Sequence, residues 1–110
     1  MHTMNVKTKY YNLLKSGKKI IELRLFDEKR QKIKIGDEIL FSDSSNQDDN
    51  FKAIVLKLHR AKNFTKLCEI ITPEQAGFSS KQELINVLEE FYTPSAQKKF
   101  GVVGIEIKKV

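Results

Sequence analysis

The segment GKKIIELRL, residues 17–25, carries the clearest structural signal in the chain. From position 19 onward apolar residues recur at every second position, which predicts a β-strand. The two predicted faces are Ile21, Leu23 and Leu25 against Ile20, Glu22 and Arg24. The first face is wholly apolar and suits a core, whereas the second places a carboxylate and a guanidinium about 7 Å apart.

A helix is predicted directly before this strand. Within residues 8–16, Tyr10, Leu13 and Leu14 follow the i, i+3, i+4 spacing of one helical face. Gly17 comes next, at the position where helices commonly end on a left-handed residue. We therefore expect the chain to turn sharply at residue 17 and to enter the strand at once.

Three further strands are predicted downstream, at residues 38–41, 51–60 and 102–108. The residues expected to face inward are Ile54, Leu56 and Leu58 in the middle strand and Val103, Ile105 and Ile107 in the last. The polar segment 42–50 has no periodicity and is expected to form the loop of a hairpin, because strand signals flank it closely.

Helical segments are expected between these strands. Residues 27–34 are predicted to be a loop or a short turn of helix, and residues 63–71 a short helix. Capping boxes open two more helices, at Thr72 and Ser80, and Thr93-Pro94 ends the second of them. Strands without regular crossover helices favour an α+β fold built on an antiparallel barrel or sheet.

The bulk composition predicts one folded domain, residues 1–110. A chain of 110 residues with 40% hydrophobic residues can bury an ordinary core. No apolar run reaches the ~20 residues of a membrane span, and the basic N-terminus is not followed by the apolar run of a signal peptide. We therefore expect a cytoplasmic protein without membrane contact. The single cysteine, Cys68, cannot form an internal disulfide and is expected to fill space in the core.

Positive charge is concentrated in the N-terminal third of the chain. The formal net charge is +6, and residues 1–40 hold ten Lys or Arg against five Asp or Glu. A basic region on a small domain favours phosphate-bearing partners. A solvated, lysine-rich surface has the same composition, so charge alone leaves the two interpretations even.

Lys19, Glu22 and Arg24 form the densest polar cluster and are the candidate site. A carboxylate between two cations stays ionised, because nearby positive charge lowers its pKa. The cations could bind phosphate, Arg24 as a bidentate fork and Lys19 as a point charge. From spacing alone the alternative is an ordinary ion pair between Glu22 and Arg24 on an exposed strand face.

The pattern Gly-x-Lys-x-x-Glu-x-Arg, present as Gly17, Lys19, Glu22 and Arg24, resembles the signature of the ASCH domain, a relative of the PUA domain. The flanks that also resemble this family are residues 14–25, 27–30 and 34–41 and, near the other end, Tyr92 and residues 99–107. The resemblance therefore covers nearly the whole chain, with the middle of the chain the least specific part.

The resemblance implies a small PUA-like β-barrel with helices packed on one side and a cleft beside the motif strand. Family members are proposed to bind RNA or nucleotides in that cleft, which Lys19, Glu22 and Arg24 would line. Arg30, in the basic loop after the strand, could reach a phosphate, and Tyr92, at the end of the last predicted helix, could stack on a base. The alternatives are a solvated arginine and a tyrosine packed over the barrel edge. RNA or a nucleotide is the expected partner, and no cofactor is implied.

An enzyme is the alternative function. One branch of the family resembles an amidohydrolase that removes acyl groups from modified cytidine nucleosides, with a lysine that matches Lys19. That branch has a threonine nucleophile where this chain has Glu22, and an acid at the position of Ala76, two residues from Glu74. If the chain hydrolyses RNA or a modified nucleoside, Lys19 and Glu22 are the catalytic candidates, with Glu22 as the base. A protein-interaction or regulatory role is the third hypothesis.

No metal site is predicted, because the chain has no cluster of ligand residues. His2 lies at a terminus that is expected to fray. His59 ends the third predicted strand, far along the chain from the motif.

Overall fold

The computed structural model describes residues 1–110, which form five β-strands, five α-helices and one 3₁₀ turn. The strands are β1 (His2–Val6), β2 (Ile21–Leu25), β3 (Glu38–Asp43), β4 (Asn46–Ala61) and β5 (Val102–Lys109). The helices are α1 (Thr8–Ser16), α2 (Glu28–Gln31), α3 (Phe64–Leu67), α4 (Lys81–Phe91) and α5 (Pro94–Phe100), and the 3₁₀ turn is Glu74–Ala76. No helix is long and apolar enough to cross a bilayer.

The strands form one sheet in the order β1-β3-β4-β5-β2, so β1 and β2 are its two edges. β1 runs parallel to β3, whereas every other neighbouring pair is antiparallel. The sheet curls into a half-barrel that brings the two edges together. There, Arg24 Nη2 on β2 donates a hydrogen bond to the Asn5 carbonyl on β1, with a donor–acceptor distance of 2.8 Å. We call the gap between β1 and β2 the seam.

Two apolar clusters lie on opposite faces of the curled sheet. One joins α1 to β1, β3, β4 and β5, and the other joins β2 to α3, α4 and the 3₁₀ turn. The adjacent residues Val102 and Val103 belong to different clusters, as the alternation of side chains along a strand requires. The second cluster covers one side of the sheet with helices. The structure therefore has the predicted α+β class and the PUA-like barrel with helices on one side.

The helix–glycine–strand unit at residues 8–25 matches its prediction. α1 ends at Ser16, and Gly17 adopts the left-handed conformation with φ +83°. Ile21 and Leu23 are buried in the second cluster, and Leu25 packs against it. Cys68 also lies partly buried against that cluster.

The edge strand β1 was not predicted, and the expectation that His2 lies at a frayed terminus is wrong. β1 pairs with β3 and buries Met4 and Val6, and His2 Nε2 lies 2.8 Å from Asp37 Oδ2. Two apolar positions give too weak a period-two signal, and the partner strand is distant in sequence. The pairing is therefore visible only in three dimensions.

The polar segment 42–50 forms a hairpin, as predicted, but most of it is strand. β3 and β4 continue through it, and only Ser44 and Ser45 form the turn. Asp49 accepts hydrogen bonds from Tyr11 Oη at 2.8 Å and from Lys15 Nζ at 2.7 Å. This end of β4 has no alternating apolar residues to bury, and its polar contacts with α1 hold it in position instead.

The inward face of β4 differs from the prediction. The buried positions are Phe51, Ala53 and Val55, whereas Ile54 and Leu56 are 37% and 42% exposed. A bulge between Val55 and Lys57 then shifts the register, so that Leu58 packs against the first cluster as predicted. Because residues 53–56 are all apolar, periodicity could not identify the inward face.

The helical segments are shorter and more numerous than predicted. α3 covers only the middle of the predicted segment 63–71, and the capping box at Thr72 opens the 3₁₀ turn rather than a longer helix. Pro94 ends α4 as expected but also begins α5. Thr93 Oγ1 caps α5 by accepting from the Ala96 amide at 3.1 Å.

Candidate functional site

A cavity of about 240 Å³ lies in the seam between the two edge strands. Its lining comes from β1, α1, β2 and α4, together with Phe78. Of the 13 lining residues, Lys7, Lys19 and Arg24 are cations and Glu22 is the only carboxylate. We call this space the seam cavity. Its position follows from the fold, because no neighbouring strand fills the gap between β1 and β2.

Glu22 is the centre of a buried charge network. Its side chain points from β2 into the seam cavity, and the residue is only 6% exposed. Arg24 Nε and Nη2 each lie 2.8 Å from Glu22 Oε2, and Lys19 Nζ lies 3.4 Å from Glu22 Oε1. One carboxylate thus balances two cations, which is the arrangement expected from the sequence. The alternative of an ordinary ion pair on an exposed strand face is wrong.

Lys19 is held by hydrogen bonds to an earlier and to a later segment of the chain. Its amide donates to the Leu13 carbonyl at 3.0 Å, just where α1 ends, and its Nζ donates to the Ala76 carbonyl at 2.6 Å. The residue is 3% exposed. Gly77, at φ +88°, leaves room for the Lys19 stem, since a Cβ there would lie 3.0 Å from Lys19 Cδ. The 3₁₀ turn therefore fixes the position of the ammonium group.

The electrostatics of the network are asymmetric. Burial raises the pKa of Glu22, but the charges and hydrogen bonds of Arg24 and Lys19 outweigh burial and leave that pKa below its usual range. Burial lowers the pKa of Lys19 more than Glu22 raises it, and Arg24 lowers it further. Glu22 is therefore held ionised, whereas Lys19 releases its proton more readily than an exposed lysine does.

Aromatic rings form the walls of the seam cavity. They form two neighbouring pairs: the ring centroids of Tyr10 and Phe78 are 5.4 Å apart, and those of Phe91 and Tyr92 are 6.4 Å apart. Phe91 is 47% exposed, and Lys7 Nζ lies 4.4 Å from its ring centroid. A polar floor, apolar walls and a basic mouth can receive a flat group that carries a phosphate.

The predicted site residues separate into two groups. Lys19, Glu22, Arg24 and Tyr92 all line the seam cavity. Arg30 does not line it. Arg30 lies in α2, and its Nη1 pairs with Oδ2 of Asp27, the residue that caps this helix, at 3.0 Å. Tyr92 lies at the end of α4, which α5 follows, so it does not end the last helix as expected.

Sequence reasoning missed the cavity residues that come from other elements. Lys7, Tyr10, Phe78 and Phe91 line the cavity, yet none of them belongs to the motif. Tyr10 was identified only as part of a helical apolar face. No local pattern marks these residues, because the packing of β1, α1 and α4 around the seam brings them together.

Each histidine lies beside a single carboxylate. His2 pairs with Asp37, and His59 Nε2 lies 2.9 Å from Glu106 Oε1. The structure has no group of three or more His, Cys, Asp and Glu side chains placed to hold a metal ion. Glu74 is exposed, and the residue at the position of the amidohydrolase acid, Ala76, offers only its carbonyl.

Comparison with known proteins agrees with this fold and motif. A sequence model of the ASCH domain matches residues 4–110. The chain is 36% identical to the hypothetical protein PH0355, whose crystal structure has a TM-score of 0.86 over 98% of this chain and 97% of that one. Protein PF0455 from Pyrococcus furiosus, solved by NMR, is 35% identical, with a TM-score of 0.77 over 99% and 96% of the two chains.

A more distant structure shares the fold alone. Protein EF3133 from Enterococcus faecalis V583 is 15% identical, with a TM-score of 0.69 over 100% of this chain and 80% of that one. No curated protein matches the chain. The family match spans nearly the whole chain and includes the motif that lines the seam cavity. The chain therefore belongs to the ASCH domain family.

Proposed function

We propose that the seam cavity binds RNA by taking up one unstacked nucleobase between its aromatic walls. The observation that carries this proposal is the charge network on the floor of that cavity, in which Lys19 and Glu22 are buried and the Arg24 side chain is 14% exposed. Burying three charges costs desolvation free energy, and apolar residues of similar volume would often stabilise the fold as well or better. A network kept in a cavity with aromatic walls is therefore better explained by ligand recognition than by stability.

The size of the cavity favours a single base. Small-ligand sites typically enclose about 300–1,000 Å³, and the seam cavity, at about 240 Å³, lies just below that range. RNA-binding proteins commonly take single bases out of the stack and place them against aromatic rings. Tyr92 and Phe91 supply such rings at one wall.

The floor of the cavity supplies polar contacts for the base, and the mouth supplies one for its phosphate. Glu22 can accept from a base amino or ring N–H group, because a carboxylate has more acceptor sites than its bonds to Lys19 and Arg24 occupy. Lys19 has three N–H donors, and its bonds to Ala76 and Glu22 use two of them. Lys7, exposed beside Phe91, is placed to meet a phosphate.

Hydrolysis of RNA or of a modified nucleoside is the second candidate function. The observation that favours it is the buried Lys19 ammonium beside Glu22. Burial lowers the pKa of Lys19, and groups with shifted pKa values are common among proton-transfer residues. The lowered pKa of Glu22 argues against its use as a strong base, and no other carboxylate lines the cavity. Turnover that disappears in Glu22→Gln while RNA still binds would favour this candidate.

A stacking test separates a base-binding cavity from an inert one. Tyr92→Leu should bind a single-stranded RNA of about 4 nucleotides some 5- to 100-fold more weakly than wild type, because stacking contributes about 1–3 kcal/mol per base. Tyr92→Phe keeps the ring and is the matched control, so its affinity should stay near that of wild type. Fluorescence anisotropy measures the affinities, and thermal unfolding verifies that both variants fold. Equal affinities for Tyr92→Leu and Tyr92→Phe would contradict the proposal.

A further inference from the structure

A second positively charged surface lies beside α5, the helix that follows Tyr92. It is an open groove of about 890 Å³ between the end of β4, the end of α4 and helix α5. Four of its 12 lining residues are cations, Arg60, Lys62, Lys98 and Lys99, and one is a carboxylate, Glu89. All five are exposed. We call this surface the basic groove; no part of the ASCH motif belongs to it.

The cations of the basic groove form no ion pairs within the protein. Every ion pair in the structure involves other basic residues. Arg60 packs its guanidinium on the ring of Phe26, with 3.9 Å from Cζ to the ring centroid. Stacking leaves the N–H edge of a guanidinium free for a phosphate. The groove therefore presents oriented but unneutralised charge.

Helix electrostatics account for only part of this charge. Lys98 and Lys99 lie in the last turn of α5, where cations are favoured by the helix dipole. Arg60 and Lys62 come from β4 and the residue after it, and nothing in their own segment calls for positive charge. Four like charges around one groove repel one another unless an anion is bound there.

The floor of the basic groove is preformed. Gln97 of α5 is 3% exposed, its Oε1 accepts from the Phe64 amide at 3.0 Å, and its Nε2 donates to the Tyr92 carbonyl at 3.0 Å. One buried amide thus joins α3, α4 and α5. Binding an anion in the groove would not require these elements to be ordered first.

Tyr92 connects the two surfaces. Its ring lines the seam cavity, while its carbonyl is bonded to the groove floor through Gln97. A shallow depression shares Lys99 and Phe100 with the basic groove, and its three cations are largely balanced by two carboxylates; its lining is Asp27, Glu28, Lys29, Lys32, Lys99 and Phe100. A flexible chain that leaves the cavity past Tyr92 therefore meets a clear excess of positive charge only in the basic groove.

We propose that single-stranded RNA, with one base in the seam cavity, continues past Tyr92 and lays its backbone phosphates along Arg60, Lys62, Lys98 and Lys99. This inference rests on the proposed function and extends it from a single nucleotide to a strand. Positively charged grooves beside a base-stacking site are the usual way in which proteins follow a single-stranded backbone. The groove adds affinity without reading sequence, because phosphates are the same at every position.

Oligonucleotide length and salt dependence test the groove separately from the cavity. Wild type should bind a single strand of about 12 nucleotides on the order of tenfold more tightly than one of about 4 nucleotides. Lys98→Gln/Lys99→Gln should lose most of that gain while it binds the short strand normally. Its slope of log affinity against log salt for the long strand should fall by about 1.4, that is about 0.7 for each lost phosphate contact.

The matched control carries the same charge change elsewhere. Lys108→Gln/Lys109→Gln removes two exposed lysines at the opposite end of β5 and should keep the length gain and the full salt slope. Anisotropy titrations at several salt concentrations give both quantities, and thermal unfolding verifies the fold of each variant.

The outcomes distinguish this inference from the proposed function. If both double variants show the wild-type length gain and salt slope, the groove does not contact RNA, and the inference is wrong while the cavity proposal stands. If polyglutamate competes with the long strand as strongly as unlabelled RNA does, the groove serves an acidic protein partner and the inference is again wrong. If wild type binds neither strand, both proposals fail.

Discussion

The seam cavity and the basic groove both collect positive charge, but they hold it in opposite ways. In the cavity, Lys19 is buried, Arg24 is mostly buried, and the two share one carboxylate. In the groove, the four cations are exposed and form no ion pair within the protein. Both surfaces suit an anionic ligand. Two charges interact much more strongly in the buried cavity than in the exposed groove, because the effective dielectric constant is lower there.

Because of this difference, the two surfaces are suited to recognise different parts of a ligand. A buried network is fixed in orientation and distinguishes hydrogen-bond donors from acceptors on a ligand. Exposed lysines make mobile, salt-sensitive contacts with phosphates and carry no sequence information. We therefore expect base preference to depend on the seam cavity and salt dependence on the basic groove. The same difference predicts a large loss of stability when a charge is removed from the cavity and almost none when one is removed from the groove.

The largest expected effect follows from removal of the central carboxylate. Glu22→Leu leaves Lys19 and Arg24 buried without their shared partner and should lower the free energy of unfolding by about 3–5 kcal/mol. Glu89→Leu makes the same substitution at the exposed carboxylate of the groove and should change stability by no more than about 0.5 kcal/mol. Urea unfolding followed by circular dichroism measures both values.

A triple variant sharpens this comparison. Lys19→Met/Glu22→Leu/Arg24→Met removes the whole network and should be more stable than Glu22→Leu, because no unpaired charge stays buried. The same variant should not bind short RNA. If Glu22→Leu is as stable as Glu89→Leu, the charges of the cavity are hydrated, and the contrast between the two surfaces disappears.

Acid titration should produce a smaller effect, because a protonated Glu22 can still hydrogen-bond. Arg24 and Lys19 outweigh burial and lower the pKa of Glu22 in the folded protein. The stability contributed by this carboxylate is therefore complete above the unfolded pKa of about 4.3 and is lost as the pH falls through the lower, folded pKa. In urea unfolding at a series of acid pH values, Glu22→Gln should lose less stability than wild type.

Two other carboxylates contribute to the acid response and provide the control. The pKa of Asp49 is lowered by hydrogen bonds from Lys15 and Tyr11, and that of Asp37 by hydrogen bonds from His2 and the Lys34 amide. Asp49→Asn should therefore lose less stability at acid pH than wild type, while the part of the loss that comes from protonation of Glu22 remains. Identical acid profiles for Glu22→Gln and wild type would show that Lys19 and Arg24 do not lower the pKa of Glu22.

The part of the fold that sequence could predict is the part fixed by local interactions. α1, Gly17 and β2 are adjacent in the chain, and helical spacing, a left-handed glycine and a period of two suffice to identify them. β1 could not be identified in this way, since its pairing with β3 is not local. The inward face of β4 depends on a bulge that continuous apolar sequence conceals.

The candidate site shows the same limit. Lys19, Glu22 and Arg24 were identifiable because they lie in one short motif. The burial of Lys19 and Glu22 follows from a seam that forms only when the sheet curls. The aromatic walls from α1, Phe78 and α4 carry no local signal. Gly77 was overlooked as well, although it provides the space in which Lys19 lies. Its importance depends on a side chain that is distant in sequence.

The smallest expected difference, between two glycines of similar conformation, tests that contact. Gly17 and Gly77 have φ values of +83° and +88°, but a Cβ at Gly17 would meet nothing within 4 Å, whereas one at Gly77 would meet Lys19 Cδ at 3.0 Å. Gly17→Ala should lower the free energy of unfolding by about 1 kcal/mol through backbone strain alone. Gly77→Ala should cost about 1 kcal/mol more, because Lys19 must move from a crowded position.

RNA binding reports on the same contact independently of stability. Displacement of Lys19 by Gly77→Ala should separate its Nζ from the Ala76 carbonyl and weaken the binding of short RNA, whereas Gly17→Ala should bind as wild type does. Anisotropy titrations of the two folded variants measure this. If both variants lose equal stability and bind RNA equally well, then the Lys19 stem adjusts freely within the cavity floor. The buried ammonium would then be as adaptable as the exposed lysines of the groove, and the two surfaces would differ in exposure but not in rigidity.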